Sequence, residues 1–176
     1  MAFVRLSFQA SISSARAFRF SSVWLCLAAL AMLSHRVVRA ESIGDRERVQ
    51  RIVDDSRARL PIPEDVPVSI VPENPLMVSV QRQPGHDDVF QLSFEEEFLR
   101  QLNDEEVRAV VAHELGHVWI FTHHPYLQTE ELANQIAMRL VPRESLEPIY
   151  DKVWKRLGVT GDLARYLGTR PTTALH

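Results

Sequence analysis

The sequence predicts an α+β domain in which a small β-sheet packs on one buried helix and on further helices around it. Three observations carry this. Segments 45–60, 104–121, 130–141 and 145–157 repeat apolar side chains at helical spacing. Segments 66–71, 76–81 and 89–93 are short, β-rich runs divided by Pro, Gly, Asn and Asp. Between Val107 and Phe121 the helical pattern is apolar on nearly every side, which marks a helix inside the fold rather than on it.

The chain has 176 residues, and its first 40 read as a separate piece. They hold five Arg (Arg5, Arg16, Arg19, Arg36, Arg39) and no acidic residue, with an apolar run from Val23 to Leu33 and small residues near Ala40. A basic stretch, an apolar core too short for a comfortable span and a small-residue site are the marks of a secretory signal peptide cut after about Ala40. An uncleaved membrane anchor and an organelle presequence fit the same pattern. Residues 41–176 are then one domain, secreted or periplasmic, or membrane-anchored if the leader stays. All 23 acidic residues stay in that domain and five of the 20 basic ones leave, so its formal charge is −8. An acidic surface argues against nucleic acid as a partner, because phosphate contacts need clustered Lys and Arg. The one cysteine, Cys26, lies in the leader, so the domain has neither disulfide nor thiol chemistry. No apolar span follows residue 40, so membrane contact is expected only through an uncleaved leader.

In chain order, Asp45 to Leu60 forms a first helix with Val49, Ile52 and Val53 on one stripe, ended by Pro61 and Pro63. Three strands follow at Val66–Val71, Leu76–Gln81 and Val89–Ser93, making a sheet antiparallel in part. An edge of such a sheet can pair with an extended peptide. Phe94 to Leu102 reads as a short amphipathic helix, with Glu95, Glu96 and Glu97 as a solvated face. Asn103 and Glu106 stand in capping-box order and start the central helix. Ser145 caps a helix to about Leu157 with Pro148 in its first turn and Val153, Trp154 and Leu157 facing inward, and Leu163–Leu167 forms a last short helix.

The central helix carries His113-Glu114-Leu115-Gly116-His117, an H-E-x-x-H stretch. On a helix the two histidines lie about 40° apart, and Glu114 falls about 60° beyond His117 on the same side. Two imidazoles one turn apart can hold one zinc ion, and the carboxylate beside them reaches the water that such a metal activates. A shuffled chain of this composition would contain the pattern roughly 0.02 times, so chance is a poor explanation. Two satisfied core histidines on a buried helix are the plain alternative. Against it stands the cost of burying two imidazoles and a carboxylate without partners. Gly116 in the helix interior implies that another backbone passes close by.

A catalytic zinc site takes three protein ligands. Thr129 reads as an N-cap, and the helix 130–141 that follows turns Glu130 toward its apolar face, with Ala133 and Ala137 small enough for close packing. Glu130 is the expected third ligand. Glu131, one residue on and turned toward solvent, stays open as the alternative, because helix starts are uncertain by a residue or two. Asn134 is placed to hydrogen-bond a ligand histidine from behind. His123 and His124 are rival ligands in the following loop. His123, His124, Tyr126 and Tyr150 are candidates by residue type alone for a group that stabilises a transition state.

The segment Leu102-Asn103-Asp104-Glu105-Glu106-Val107-Arg108-Ala109-Val110-Val111-Ala112-His113-Glu114-Leu115-Gly116-His117-Val118 resembles the active helix of the CAAX prenyl protease and HtpX family of gluzincin metallopeptidases. Glu130-Glu131-Leu132-Ala133-Asn134-Gln135-Ile136-Ala137 is similar to that family's following E-x-x-A-D-x-x-A helix, with Asn134 in place of the usual Asp. The distance from His117 to Glu130 is short for the family. A weaker similarity extends to the ImmA/IrrE metallopeptidases. The resemblance implies a minimal zincin-like domain, Zn2+ held by His113, His117 and Glu130, Glu114 as general base, and protein or peptide substrates cut by an endopeptidase. The alternative is an exported zinc-binding or chaperone-like interaction domain without catalysis.

Overall fold

The computed structural model describes residues 43–169. The expected leader lies outside them. Residues 43–59 form helix α1. Then come strands β1 (Val68–Val71), β2 (Val78–Arg82) and β3 (Phe90–Glu95), and helices α2 (Glu96–Arg100), α3 (Asp104–His123), α4 (Glu130–Ala137), α5 (Arg143–Leu157) and α6 (Leu163–Leu167), with a 3₁₀ turn at Pro125–Leu127. This is the expected α+β architecture. Among the described residues no helix is long and apolar enough to cross a membrane.

The sheet has the order β1-β3-β2, with β1 parallel and β2 antiparallel to the central strand. Alternation gives it two faces. Val68, Val78, Leu92 and Phe94 are buried in the main core with Leu115, Val118 and other residues of α3. On the opposite face the Ser69 and Ser93 hydroxyls hydrogen-bond each other, and Asn74 Nδ2 donates to Ser79 Oγ and to Ser93 O. The two edges differ. Along β1, the amide of Gln50 from α1 donates to Val66 O (3.1 Å) and accepts from Val68 N (2.9 Å), so a side chain does the work of a neighbouring strand. Along β2, the bonds Gln83 N–H to Val89 O and Glu95 N–H to Met77 O fix the odd-numbered residues as the hydrogen-bonded pairs with β3. Val80 therefore turns its N–H and C=O outward, toward a cavity described below.

The central helix starts where the sequence places it. Asn103 accepts from Glu106 N–H (3.0 Å), and Glu106 accepts from Asn103 N–H (2.8 Å). Glu106 also takes the Lys152 ammonium of α5 (2.7 Å), which ties the start of α3 to that helix. Gly116 marks the crossing of α3 and α4: a Cβ there would lie 2.4 Å from the carbonyl oxygen of Ala133. The expected backbone contact is real, and it sets how close the two helices come.

Several local expectations need correction. Phe94 and Glu95 belong to β3, so the helix after it is only Glu96–Arg100. Glu95 is not part of a solvated face: it is buried and pairs with Arg156 of α5. Helix α4 stops at Ala137, where the chain tightens into i→i+3 turns ahead of Pro142, which has no N–H to continue it. Ser145 is no cap. Helix α5 begins at Arg143, Ser145 donates to Glu105 (2.8 Å), and Pro148 lies inside the helix. Leu157 is exposed rather than inward. The last helix lies where expected.

Candidate metal centre

Helix α3 presents His113 and His117 on one face, and the crossing at Gly116 brings the start of α4 over them. Thr129 caps α4 by accepting from Leu132 N–H (3.2 Å), which fixes the first turn and with it Glu130. One donor atom from each of His113, His117 and Glu130 lies within 4.8 Å of the others. The Nε2 atoms of the histidines are 3.2 Å apart, His113 Nε2 is 3.2 Å from Glu130 Oε2, and His117 Nε2 is 3.5 Å from Glu130 Oε1. Ligands held tetrahedrally at about 2.0–2.1 Å from zinc are separated by about 3.3 Å along each edge. The two histidine nitrogens are about one such edge apart, and Glu130 sets one carboxylate oxygen at a similar distance from each of them, so the donor set fits a zinc ion held by these three residues.

The far nitrogen of each ring is held as well. His113 Nδ1–H donates to Asn134 Oδ1 (2.8 Å), and His117 Nδ1–H donates to Gln128 Oε1 (3.2 Å). With the proton on Nδ1, the Nε2 lone pair faces the shared space between the ligands, the tautomer that a metal requires. Asn134 is fully buried. Its Nδ2 donates to Tyr150 Oη (2.6 Å) and to Tyr166 O (2.9 Å), so every polar atom of the amide is used.

Electrostatics sort the four titratable groups. The two imidazoles that hydrogen-bond the Glu130 carboxyl hold it far below the usual range. On His117, burial opposes charge, but the hydrogen bond to the Glu130 carboxylate and the negative charge of Glu114 outweigh it and the pKa rises. Burial pushes the Glu114 carboxyl up, while His113, His117 and the backbone of Val80 on β2 draw it back down. A carboxyl whose pKa is raised is a stronger proton acceptor than a free one. Burial also pushes the Tyr150 hydroxyl up, to about 12.

A cavity of about 630 Å³ opens beside these groups, lined by β2 from Val78 to Arg82, by His113, Glu114, His117 and Glu130, and by apolar residues on either side. Phe98, Ala109, Val110, Leu146, Ile149 and Val153 line it toward α5, and Phe90, Val118 and Phe121 toward the end of β2. Glu114 thus lies between the two histidines and the open strand edge.

The structure brings together His113, Glu114, His117 and Glu130. Glu131 is exposed and outside the cluster. His123 stacks on Trp119 (4.3 Å between rings) and donates from Nδ1 to Trp119 O (2.9 Å), and it is not part of the cluster of His113, His117 and Glu130. Neither His124 nor Tyr126 lines the cavity, and Tyr126 is 98% exposed. Tyr150 does line it, with its ring 6.4 Å from that of His113. Two supporting groups escaped the sequence reading, the Gln128 side chain and the Tyr166 carbonyl. Neither belongs to a local pattern, and a backbone carbonyl leaves no residue-type signal at all.

Residues 91–161 match peptidase family M48. The match begins in β3, spans the H-E-x-x-H helix and the helix of Glu130, and ends just past α5. It agrees with the resemblance carried by residues 102–118 and 130–137, and it supports a metallopeptidase. A solved structure, the metallopeptidase zymogen abylysin of Pyrococcus abyssi, is similar over 65% of this chain and 99% of its own, with 18% identity and a TM-score of 0.47. No curated protein matches the chain.

Proposed function

We propose that this protein is a gluzincin-type zinc endopeptidase, with His113, His117 and Glu130 as ligands and Glu114 as general base. The observation that carries the proposal is the convergence of His113 Nε2 and His117 Nε2, 3.2 Å apart, on the Glu130 carboxylate, whose two oxygens lie 3.2 and 3.5 Å from them, with each imidazole held from behind by an amide oxygen. A zinc ion bound there would polarise the scissile carbonyl and make an attacking water more acidic. The protein's own residues do the rest. Glu114 takes a proton from the water that attacks the carbonyl and returns it to the leaving amine as the C–N bond breaks. The open edge of β2 pairs with an extended substrate and holds its backbone in place, with Val80 C=O as an acceptor and its N–H kept on the Glu114 carboxylate. The apolar walls on both sides of the histidines favour peptides with large apolar side chains near the cleaved bond, because burying them there removes apolar surface from water. In the same reading residues 1–40 are an export leader, which sequencing the N-terminus of the mature protein would check.

The test pairs metal content with hydrolysis. The purified protein is expected to hold one zinc per chain and to cleave fluorescein-labelled casein, and Glu114→Gln to keep the zinc and lose cleavage. Full activity in Glu114→Gln would remove Glu114 as the base. Absence of zinc from the fully metallated wild-type chain would end the peptidase reading.

A further inference from the structure

We infer that the C-terminal helix α6 is a positioning element of the metal site: the backbone carbonyl of Tyr166 selects the orientation of the Asn134 amide and, through it, the ring of His113. The inference rests on the metal reading above. An amide side chain has two nearly isosteric orientations. In the observed one, Oδ1 accepts from His113 Nδ1–H (2.8 Å), and Nδ2 donates to Tyr150 Oη (2.6 Å) and Tyr166 O (2.9 Å). The Tyr150 hydroxyl would serve either orientation, because it can donate or accept. The Tyr166 carbonyl can only accept. Turning the amide over would set Asn134 Oδ1 against that carbonyl oxygen and Nδ2 against the His113 N–H. Both are mismatched pairs at a fully buried residue, where water cannot repair them. The carbonyl therefore decides, and Tyr150 follows.

Helix α6 is held in place by this chain's own residues. Arg143 Nη1 donates to Leu167 O (2.7 Å) and Gly168 O (2.6 Å). Leu167 is buried, and the Tyr166 ring stacks on Tyr150 with 5.3 Å between centroids. The linker passes flat against Trp154. At Gly161 a Cβ would come within 2.0 Å of the indole, so only glycine fits. Asp162 then caps α6 by accepting from Ala164 N–H (2.9 Å). All of α6 lies beyond the residues that match the family.

The experiment is a zinc competition titration with a chromophoric chelator. It compares the full chain with a chain ending at Asp162, each carrying either Asn134 or Asn134→Asp, and thermal melts report folding. Loss of α6 is expected to weaken zinc binding about 10–100-fold when residue 134 is Asn, the usual effect of removing support behind a ligand. With Asn134→Asp either carboxylate oxygen accepts from His113 and no orientation has to be chosen, while the other oxygen meets the Tyr166 carbonyl as acceptor against acceptor, so the truncation should leave affinity unweakened or raise it. Arg143→Met, which releases α6 without deleting it, is read in the same pair and decides the matter if the truncated chain does not fold. Unchanged affinity in the Asn134 background would overturn the inference. So would an equal loss in both backgrounds, since that is what a merely structural role predicts. A full-length wild-type chain that binds no zinc would instead remove the metal site itself, before any variant is compared.

Discussion

The two histidines of the H-E-x-x-H helix are supported in the same chemical way by different kinds of structure. Each gives its Nδ1–H to a side-chain amide oxygen. Behind His113 that amide is Asn134, 0% exposed and held by groups from α5 and α6. Behind His117 it is Gln128, in the exposed loop before α4, whose Nε2 returns only to the His117 carbonyl (3.2 Å). One support is part of the packing and the other is tied to a loop. Water can replace an exposed hydrogen bond but cannot reach a buried one, so two bonds of the same kind are unequal in consequence. The half of the site facing α5 and α6 should be rigid, and the half facing the loop should be the one that yields.

The strongest way to break this contrast is to disturb both halves together at the α3–α4 crossing. Gly→Ala in a helix interior ordinarily stabilises by about 1 kcal/mol. At Gly116 the new methyl would sit 2.4 Å from Ala133 O, a backbone atom with no rotamer to escape into. Overpacking of this kind costs about 1–3 kcal/mol and would push away the helix that carries both Glu130 and Asn134. The expected result for Gly116→Ala is a lower Tm together with loss of zinc. A raised Tm would mean that the crossing has room to spare.

Next in size is Asn134→Ala. It strips the buried support alone, leaving the His113 N–H and the Tyr166 carbonyl without partners. Zinc affinity measured by chelator competition should fall about 10–100-fold. An effect no larger than that at Gln128 would erase the distinction between the two halves.

How much of this was legible in the sequence follows the range of each interaction. The capping box of Asn103 with Glu106 and the Thr129 cap are contacts three residues long, so residue types at fixed spacing reveal them. Gly116 was legible because its propensity cost demanded a reason. That Glu130 and not Glu131 lies beside the two histidines followed from the helical stripe once the cap was placed. The errors lie where a distant partner overrides the local pattern. Glu95 sits in a run of three glutamates and reads as solvated, but its counter-charge Arg156 is 61 residues away and draws it inward. Ser145 reads as a cap because nothing nearby reveals Glu105, 40 residues upstream, as its acceptor. The Tyr166 carbonyl, 32 residues from Asn134, has no sequence signature.

The smallest expected effects sharpen the loop side of the contrast. Gln128→Ala removes an exposed hydrogen bond worth about 0.5–1.5 kcal/mol, and water can take over both of its roles, so zinc affinity should fall by less than about tenfold. Glu131→Ala should do less still. Its carboxylate is exposed, lies outside the ligand cluster, and serves only to complement the positive end of α4, an effect of about 0.3–1 kcal/mol on stability. Zinc affinity should not change, while Glu130→Ala should abolish tight binding. The opposite result, with Glu131→Ala losing the metal and Glu130→Ala keeping it, would shift the ligand by one residue. Since successive residues on a helix point about 100° apart, that would require α4 to be turned on its axis, which the Thr129 cap and the Ala133–Gly116 contact both oppose.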